Sequence, residues 1–455
     1  MTTVSTAVAA APQPRASGLF ERVLRPFSDV HEGEGLTALL MLANLFLLMT
    51  GYYILKTVRE PLILTTGGAE LKAYASAGQA LSLMVFVPLY GWFSSRVARL
   101  PLIVGFVGFF LVTLELFYVG ISASVPFIGF IFFIWLGIFS LATVAQFWSF
   151  ANDIYRLGAG ERLFPLIGIG ATAGSPVGAK VASELFEAGI SMPAMLQIAA
   201  ALLVIHLLLY WWINRREERE AATARREDGA AESGKTPLSG AGGFQLVFRS
   251  TYLKFVVLLL VLLNVVNTTG EYVLGRTVVE AATEAVNAGQ AADAASFIGG
   301  FYGDFFFWVN LLAMVIQAFA VSRIVKHLGM AGVLLILPFI AFGAYGLIGL
   351  GAGLAVLRWV KTAENATDYS LMNTGRQLFW LPTDRNEKYK AKQAADTFFV
   401  RTGDLFSAAI VYAGTSWFTL SVSGFAWINV LIVLAWLVVA VRTYRHYRLL
   451  CAACP

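Results

Sequence analysis

Residues 50–62 read TGYYILKTVREPL, and they set Lys56, Arg59 and Glu60 within about one helical turn at the end of an otherwise apolar stretch. Ionisable groups recur in similar surroundings: Lys180 and Glu184 at i, i+4, Glu271 and Arg276, Asp304, and Arg401 and Asp404 at i, i+3. The richest stretch is LRWVKTAENATDYSLMNTGRQLFWLP, where Arg358, Lys361, Glu364 or Asn365, and Asp368 share one face of a helix. At about 1.5 Å per residue that stripe is about 15 Å long. A charge inside a bilayer costs at least about 2.5 to 3.5 kcal/mol, so each group should face a partner or an aqueous cavity. Lys180 with Glu184, and Arg401 with Asp404, read as pairs that neutralise each other along one helix. Arg59, Arg276, Lys361 and Arg376 come from different segments, and their surplus positive charge suits an anion, because Lys and Arg hold phosphate or carboxylate by charge-assisted hydrogen bonds. Lys56 extends that set, and Asn264, Asn267 and Tyr272 supply neutral contacts. Glu60, Glu271, Asp304 and Asp368 are candidates for ion pairing or for proton coupling.

The elements that must hold these groups follow from composition. The 455 residues are 58% hydrophobic and 13% charged, with mean hydropathy +0.70, whereas soluble domains carry about 25% charged residues. The chain therefore reads as an all-α polytopic membrane protein. A crossing needs about 20 mainly apolar residues, and by that criterion there are about twelve. They fall near 35–57, 72–95, 101–121, 125–150, 163–185, 193–213, 252–275, 298–322, 329–350, 352–381, 396–418 and 422–441.

Lys and Arg gather in alternate loops: Arg15, Arg22 and Arg25, Arg96 and Arg99, Arg156 and Arg162, the basic start of the central linker, Arg323 and Lys326, Arg385 to Lys392, and Arg442, Arg445 and Arg448. The opposite loops ISASV, EAGISM, GAG and WFTLSVSG have neither, and the long loop VVEAATEAVNAGQAADAAS has only acidic charges. The positive-inside rule then places both termini in the cytoplasm. Residues 1–30 read as a flexible tail with an amphipathic piece, GLFERVLRPF, suited to a membrane surface, and not as a signal peptide. A first six-helix bundle is expected over 31–214, a charged linker over 215–248, a second bundle over 249–445 and a short tail over 446–455.

The two halves repeat. TGYYILKTVRE at 50–60 aligns with TGEYVLGRTVVE at 269–280 with one residue inserted, and QFWSFANDIY after the fourth span answers QLFWLPTDRN after the tenth. Internal repeats of this kind are usual in secondary transporters. Other chemistries find little support. No G-x-x-x-x-G-K-[ST] occurs, so nucleotide hydrolysis is not expected. The glycines of GIGATAGSPVG lie inside the fifth span, where small residues let helices pack closely. His206, in LLVIHLLLYWW, reads as a packed residue, and the terminal pair Cys451 and Cys454 as incidental. No enzyme activity, metal, cofactor or nucleic-acid partner is expected.

Twelve spans, two related halves and a charged central loop resemble the major facilitator architecture. GWFSSRVARL at 91–100 adds to this, since Gly91, Arg96 and Arg99 fit that superfamily's signature between its second and third helices, with Ser95 and Ala98 where Asp and Gly are usual. Two further stretches narrow the resemblance. DYSLMNTGRQLFWLPTDRNEKYKAKQAADTFFVRTGDLFSA, ending at residue 408, and FWSFANDIYRLGAGERLFPLIGIGATAG, at 147–174, resemble the ATP/ADP translocase-type nucleotide transporters of plastids and intracellular bacteria. Arg59-Glu60 stands where that family has a Lys-Asp pair. The resemblance implies cationic roles for Arg59 and Arg376. The family's acidic positions differ here: the fourth span has no carboxylate, Asn267 stands near the expected acid of the seventh with Glu271 one turn later, and Asp368 occupies a place where nucleotide exchangers carry Lys.

What the resemblance implies is a secondary transporter of an anionic solute, a nucleotide exchanged as ATP for ADP or another phosphorylated metabolite, working by alternating access. It would act as a monomer in the lipid bilayer of a bacterial inner membrane. Two other readings stay open: a proton-coupled carrier or exporter of an unrelated solute, and a non-transporting scaffold or sensor on a transporter fold.

Overall fold

The computed structural model describes residues 30–224 and 243–453, apart from 32, 95, 98, 156, 385, 386 and 388–390. The tail with GLFERVLRPF, most of the linker, Arg156, Arg385, Lys388, Lys390 and Cys454 therefore lie outside the described residues.

The first helical run, Glu34–Ser94, bends at Gly68, whose φ of 67° and ψ of −169° are not helical. It is thus two spans, α1 (34–67) and α2 (69–94). There follow α3 (Arg99–Ser122), α4 (Ile128–Ile154), α5 (Leu157–Glu187) and α6 (Met192–Ala224). A short helix, Gly243–Arg249, leads into α7 (Thr251–Asn287). Next, α8 (294–328) and α9 (330–349) meet at Gly329, with φ of 57°. The last are α10 (354–378), α11 (392–416) and α12 (Val422–Ala453). Each expected span is helical, and the differences are at the ends. Pro61 does not stop α1, which runs on to the distal turn, so Lys56, Arg59 and Glu60 sit within the helix and not at its end. The acidic loop after the seventh span is mostly helix too, as α7 continues to Asn287. Neighbouring helices can satisfy the backbone group that an intramembrane proline frees, which is why α1 survives it.

Among the described residues, seven helical runs, two of them bent pairs, are long and apolar enough to cross a membrane. α5, α10 and α11 fall outside that set because they carry the glycine-rich and charged stretches. Glycine spacing explains how α5 seats on α1. A Cβ on Gly170, Gly174 or Gly178 would lie 2.3, 2.5 or 2.4 Å from the carbonyl oxygens of Leu42, Phe46 and Thr50. Three successive turns of α5 therefore touch the α1 backbone, as close packing and not phosphate cradling requires. α7 and α11 make the corresponding contact in the second half, where a Cβ on Gly403 would lie 2.8 Å from the Asn264 side chain.

Each bundle has an aromatic and aliphatic core, and the second core also takes in Leu64, Ala69, Ala73, Phe133 and Ala179 from the first bundle. These five sit toward the face opposite the one where α1 begins and α12 ends. We call the latter face proximal and the former distal.

A candidate binding site between the bundles

The repeated element sets the site. In α1, Thr50 donates to the Gly174 carbonyl at 3.3 Å; in α7, Thr269 hydrogen bonds to the Ser407 hydroxyl at 2.9 Å. Anchored by these threonines, α1 and α7 face each other across the bundle interface. The charged residues of the repeated element, Lys56, Arg59 and Glu60 in α1 and Glu271, Arg276 and Glu280 in α7, lie on the distal side of the threonines.

There the bundles close on each other. Lys72 of α2 lies 2.7 Å from Glu60 and 3.4 Å from Glu271 of α7, and it donates to the Tyr302 hydroxyl of α8 at 3.3 Å. Tyr272 donates to Glu70 at 3.0 Å, and Ser183 donates to the Gly300 carbonyl at 3.2 Å. α5 and α8 touch so closely here that a Cβ on Gly303 would meet Ser183 at 2.8 Å. Removing one partner of such a desolvated ionic contact costs about 3 to 5 kcal/mol, because the other charge stays buried.

The predicted residues divide among several environments. Arg59 donates to Glu60 at 3.0 Å and stacks 4.2 Å from the centre of the Phe133 ring. Glu60, 0% exposed, is held between Arg59 and Lys72. Glu271 accepts from Asn365 at 3.1 Å. Lys361 is wholly buried with Glu364 at 3.0 Å, near the Tyr345 hydroxyl and Asn267 at 3.4 and 3.5 Å. Arg358 pairs with Asp304. Arg376 pairs with Asp368 at 3.1 Å, on the proximal side. Arg276 lies at the distal rim, bonded to Glu280 at 3.3 Å and the Leu420 carbonyl at 2.9 Å. Asn264 donates to Asp404 at 2.9 Å, as does Thr268 at 2.7 Å, so Asp404 is held across α7 and α11 more closely than by Arg401 at 3.7 Å. Lys180 and Glu184 form the expected pair at 2.7 Å on an exposed face. Arg59, Arg276, Lys361 and Arg376 each have their own carboxylate, and Glu271 also lies within electrostatic reach of Lys72, Lys361, Lys56 and Arg59.

Lys56 differs. It is 8% exposed and makes neither a hydrogen bond nor an ion pair among the described residues. Its ammonium instead lies over rings, 4.3 Å from the centre of Phe306, 4.9 Å from Tyr53 and 5.8 Å from Tyr369. Desolvated cation–π contacts of this kind are worth about 2 kcal/mol each, much less than a buried charge needs. The rings lead to a cavity of about 390 Å³ on the proximal side, lined by Met49, Thr172, Ser175, Asn310, Gln317, Tyr369, Asn373 and neighbouring alanine and methionine side chains. Tyr369 belongs to both, and Tyr53 donates to Asn310 of the cavity at 2.9 Å. Tyr369 thus both lines the cavity and lies 5.8 Å from the Lys56 ammonium, which is not itself in the lining. Lys72, the centre of the distal closure, is absent from the sequence reading, because it falls at the predicted start of a span; its spacing from Glu60 across the Gly67-Gly68 bend is the signal that would have found it.

Residues 127–348 match the family model described as TLC ATP/ADP transporter. The chain is 22% identical over 437 residues to ADP,ATP carrier protein 1 of Chlamydia trachomatis, covering 82% of this chain and 81% of that one, and a similar match is found to ADP,ATP carrier protein 1 of Chlamydia muridarum. Among solved structures, the nucleoside transporter NupG aligns with a TM-score of 0.64 at 13% identity, covering 90% of this chain and 99% of that one. A bacterial homologue of the iron transporter ferroportin in an inward-facing state aligns with 0.63 at 13% identity over 90% and 98%. These structures bear out the major facilitator-like fold, and the family and sequence matches bear out the resemblance to the ATP/ADP translocase-type family.

Proposed function

We propose that this chain, a distant relative of the ATP/ADP translocase-type transporters on a major facilitator-like fold, is a secondary transporter that exchanges nucleotides across a membrane by alternating access. The observation that carries this reading is Lys56, a buried ammonium with no hydrogen bond or close ion pair among the described residues, which lies 5.8 Å from the Tyr369 ring in the wall of an inter-bundle cavity. A phosphate entering from the proximal side would meet it there and supply charge-assisted hydrogen bonds. Arg59, Lys361 and Arg376 then shape the field around the site, each already balanced by a carboxylate.

Exchange follows from the same cation. With an anion bound, Lys56 is neutralised and the bundles can close over it. Without one, occluding the site leaves the charge uncompensated, at a cost of several kcal/mol. Return of an empty carrier is thereby slowed, and one anion must be traded for another. Opening the distal face requires Lys72 to leave Glu271 and Tyr302, and Ser183 to leave Gly300. The Lys/Arg bias of the proximal loops, Arg96, Arg323, Lys326, Arg442, Arg445 and Arg448, supports a cytoplasmic proximal face, with a bacterial plasma membrane as the proposed location. A single chain encloses the cavity, which fits a monomer.

The test is uptake of labelled ATP by proteoliposomes. Uptake that needs ADP inside and ignores a proton gradient supports exchange. Uptake driven by a proton gradient without internal nucleotide supports the proton-coupled carrier. Absence of uptake together with absence of nucleotide binding supports the scaffold.

A further inference from the structure

We infer that the proximal cavity is a nucleobase subsite, with Asn373 and Gln317 reading an adenine edge while the phosphates reach distally to Lys56. This rests on the nucleotide reading above and adds to it an orientation and the residues that select the base.

Four observations carry the inference. First, none of the residues lining the cavity is Lys, Arg, Asp or Glu. A charged group has no counterpart there, whereas the Lys56 ammonium lies 5.8 Å from the Tyr369 ring of the wall. A solute that fits both is neutral at one end and anionic at the other. Second, the wall is suited to a flat ring: Tyr369 offers an aromatic face, and Met49, Met314, Ala171 and Ala313 offer polarisable or apolar surface. At about 390 Å³ the cavity is within the range of small-molecule sites.

Third, three of the six polar side chains in the lining are amides, and two of the three are available. Asn310 is committed, accepting from Tyr53 at 2.9 Å and donating to the Phe306 carbonyl at 2.7 Å. Asn373 makes no hydrogen bond among the described residues and is exposed in the cavity. Gln317 has only long contacts of 3.4 Å to Thr374. A carboxamide offers a donor and an acceptor side by side, which matches the amine and ring nitrogen of adenine; guanine's two acceptors are matched by Arg or Lys, which this wall lacks. Fourth, Gln317 and Tyr369 each sit in a π-helical turn, Ile316–Ala320 and Asp368–Met372. Such turns occur frequently at functional sites, and two of the π-helical turns lie in helices facing the cavity, while a third, Ala395–Phe399 in α11, does not line it.

The experiment uses the purified full chain and reads affinity from ligand-induced thermal stabilisation by ADP, GDP, CDP and inorganic pyrophosphate. The wild type is expected to favour ADP over GDP, CDP and pyrophosphate. Asn373→Ala and Gln317→Ala should each shrink the preference for ADP over GDP by about tenfold. Lys56→Ala should weaken ADP and pyrophosphate to a similar degree and leave the preference among bases in place. Binding of ADP with a preference that survives both amide substitutions would overturn the base assignment alone, as would pyrophosphate bound as tightly as ADP. Failure of the wild type to bind any of the four would overturn the nucleotide reading and this subsite with it.

Discussion

Lys72 of the first bundle reaches Glu271 of the second at 3.4 Å while the same ammonium lies 2.7 Å from Glu60 of its own bundle. One side chain is therefore shared between a contact that persists when the bundles rock and one that must break. Its position makes it the element of the distal closure most open to test.

Lys72→Ala should favour the distally open form, because Glu60 and Glu271 then repel each other across the interface. Ser183, 0% exposed in the closed arrangement, provides the readout. In a Ser183→Cys background with Cys451 and Cys454 replaced by Ser, labelling by a membrane-impermeant maleimide should accelerate about tenfold or more on adding Lys72→Ala. An unchanged rate would mean that Ser183–Gly300 packing alone holds the closure. Adding Glu271→Gln should restore part of the protection, with a coupling of about 1 to 3 kcal/mol.

Lys56 and Arg59 are separated by less than one turn but are expected to respond differently. Lys56→Ala removes a buried charge that has aromatic neighbours but no hydrogen bond or ion pair among the described residues, so melting temperature should hold or rise while nucleotide affinity falls about 10- to 100-fold, the worth of a charged hydrogen bond. Equal affinity in wild type and variant would remove Lys56 from the site.

Arg59→Ala leaves the fully buried Glu60 with Lys72 as its remaining cation. It should lower stability by about 3 to 5 kcal/mol, read as a loss of melting temperature without ligand. Arg59→Ala with Glu60→Gln should recover much of that loss. If Arg59→Ala melts like wild type yet fails to transport, Arg59 serves substrate rather than Glu60.

How far the sequence reveals these roles depends on what fixes them. The spans are legible because about 20 apolar residues are needed to cross a bilayer, and the close packing of α5 on α1 is legible because glycines recur every four residues in GIGATAGSPVG. The ends of α1 and α7 are not, since Pro61 and the acidic run after Arg276 argue locally for a stop that tertiary packing overrides. The candidate site is legible as a set of charges but not as an order among them. Arg59 and Lys56 look alike in TGYYILKTVREPL, and only the fold shows that Glu60 and Phe133 occupy the first while rings surround the second. The π-helical turns that aim Gln317 and Tyr369 leave no mark in the residue pattern at all.

The glycines supply the last test, because two of them differ in what surrounds them. A Cβ on Gly174 would lie 2.5 Å from the Phe46 carbonyl, and backbone atoms cannot give way as the end of a side chain can. Gly174→Ala should therefore push α5 off α1 and cost about 1 to 3 kcal/mol, the usual penalty for overpacking. A Cβ on Gly300, by contrast, would meet nothing within 4 Å. Gly300→Ala should match wild type or gain a few tenths of a kcal/mol, since alanine is the better helix former. Melting temperatures of the two variants, followed by fluorescence-detected size exclusion, separate these outcomes. Equal loss in both would mean that α5 and α8 need glycine for flexibility; loss in Gly174→Ala alone places its role in the contact with α1, on which the position of Lys56 depends.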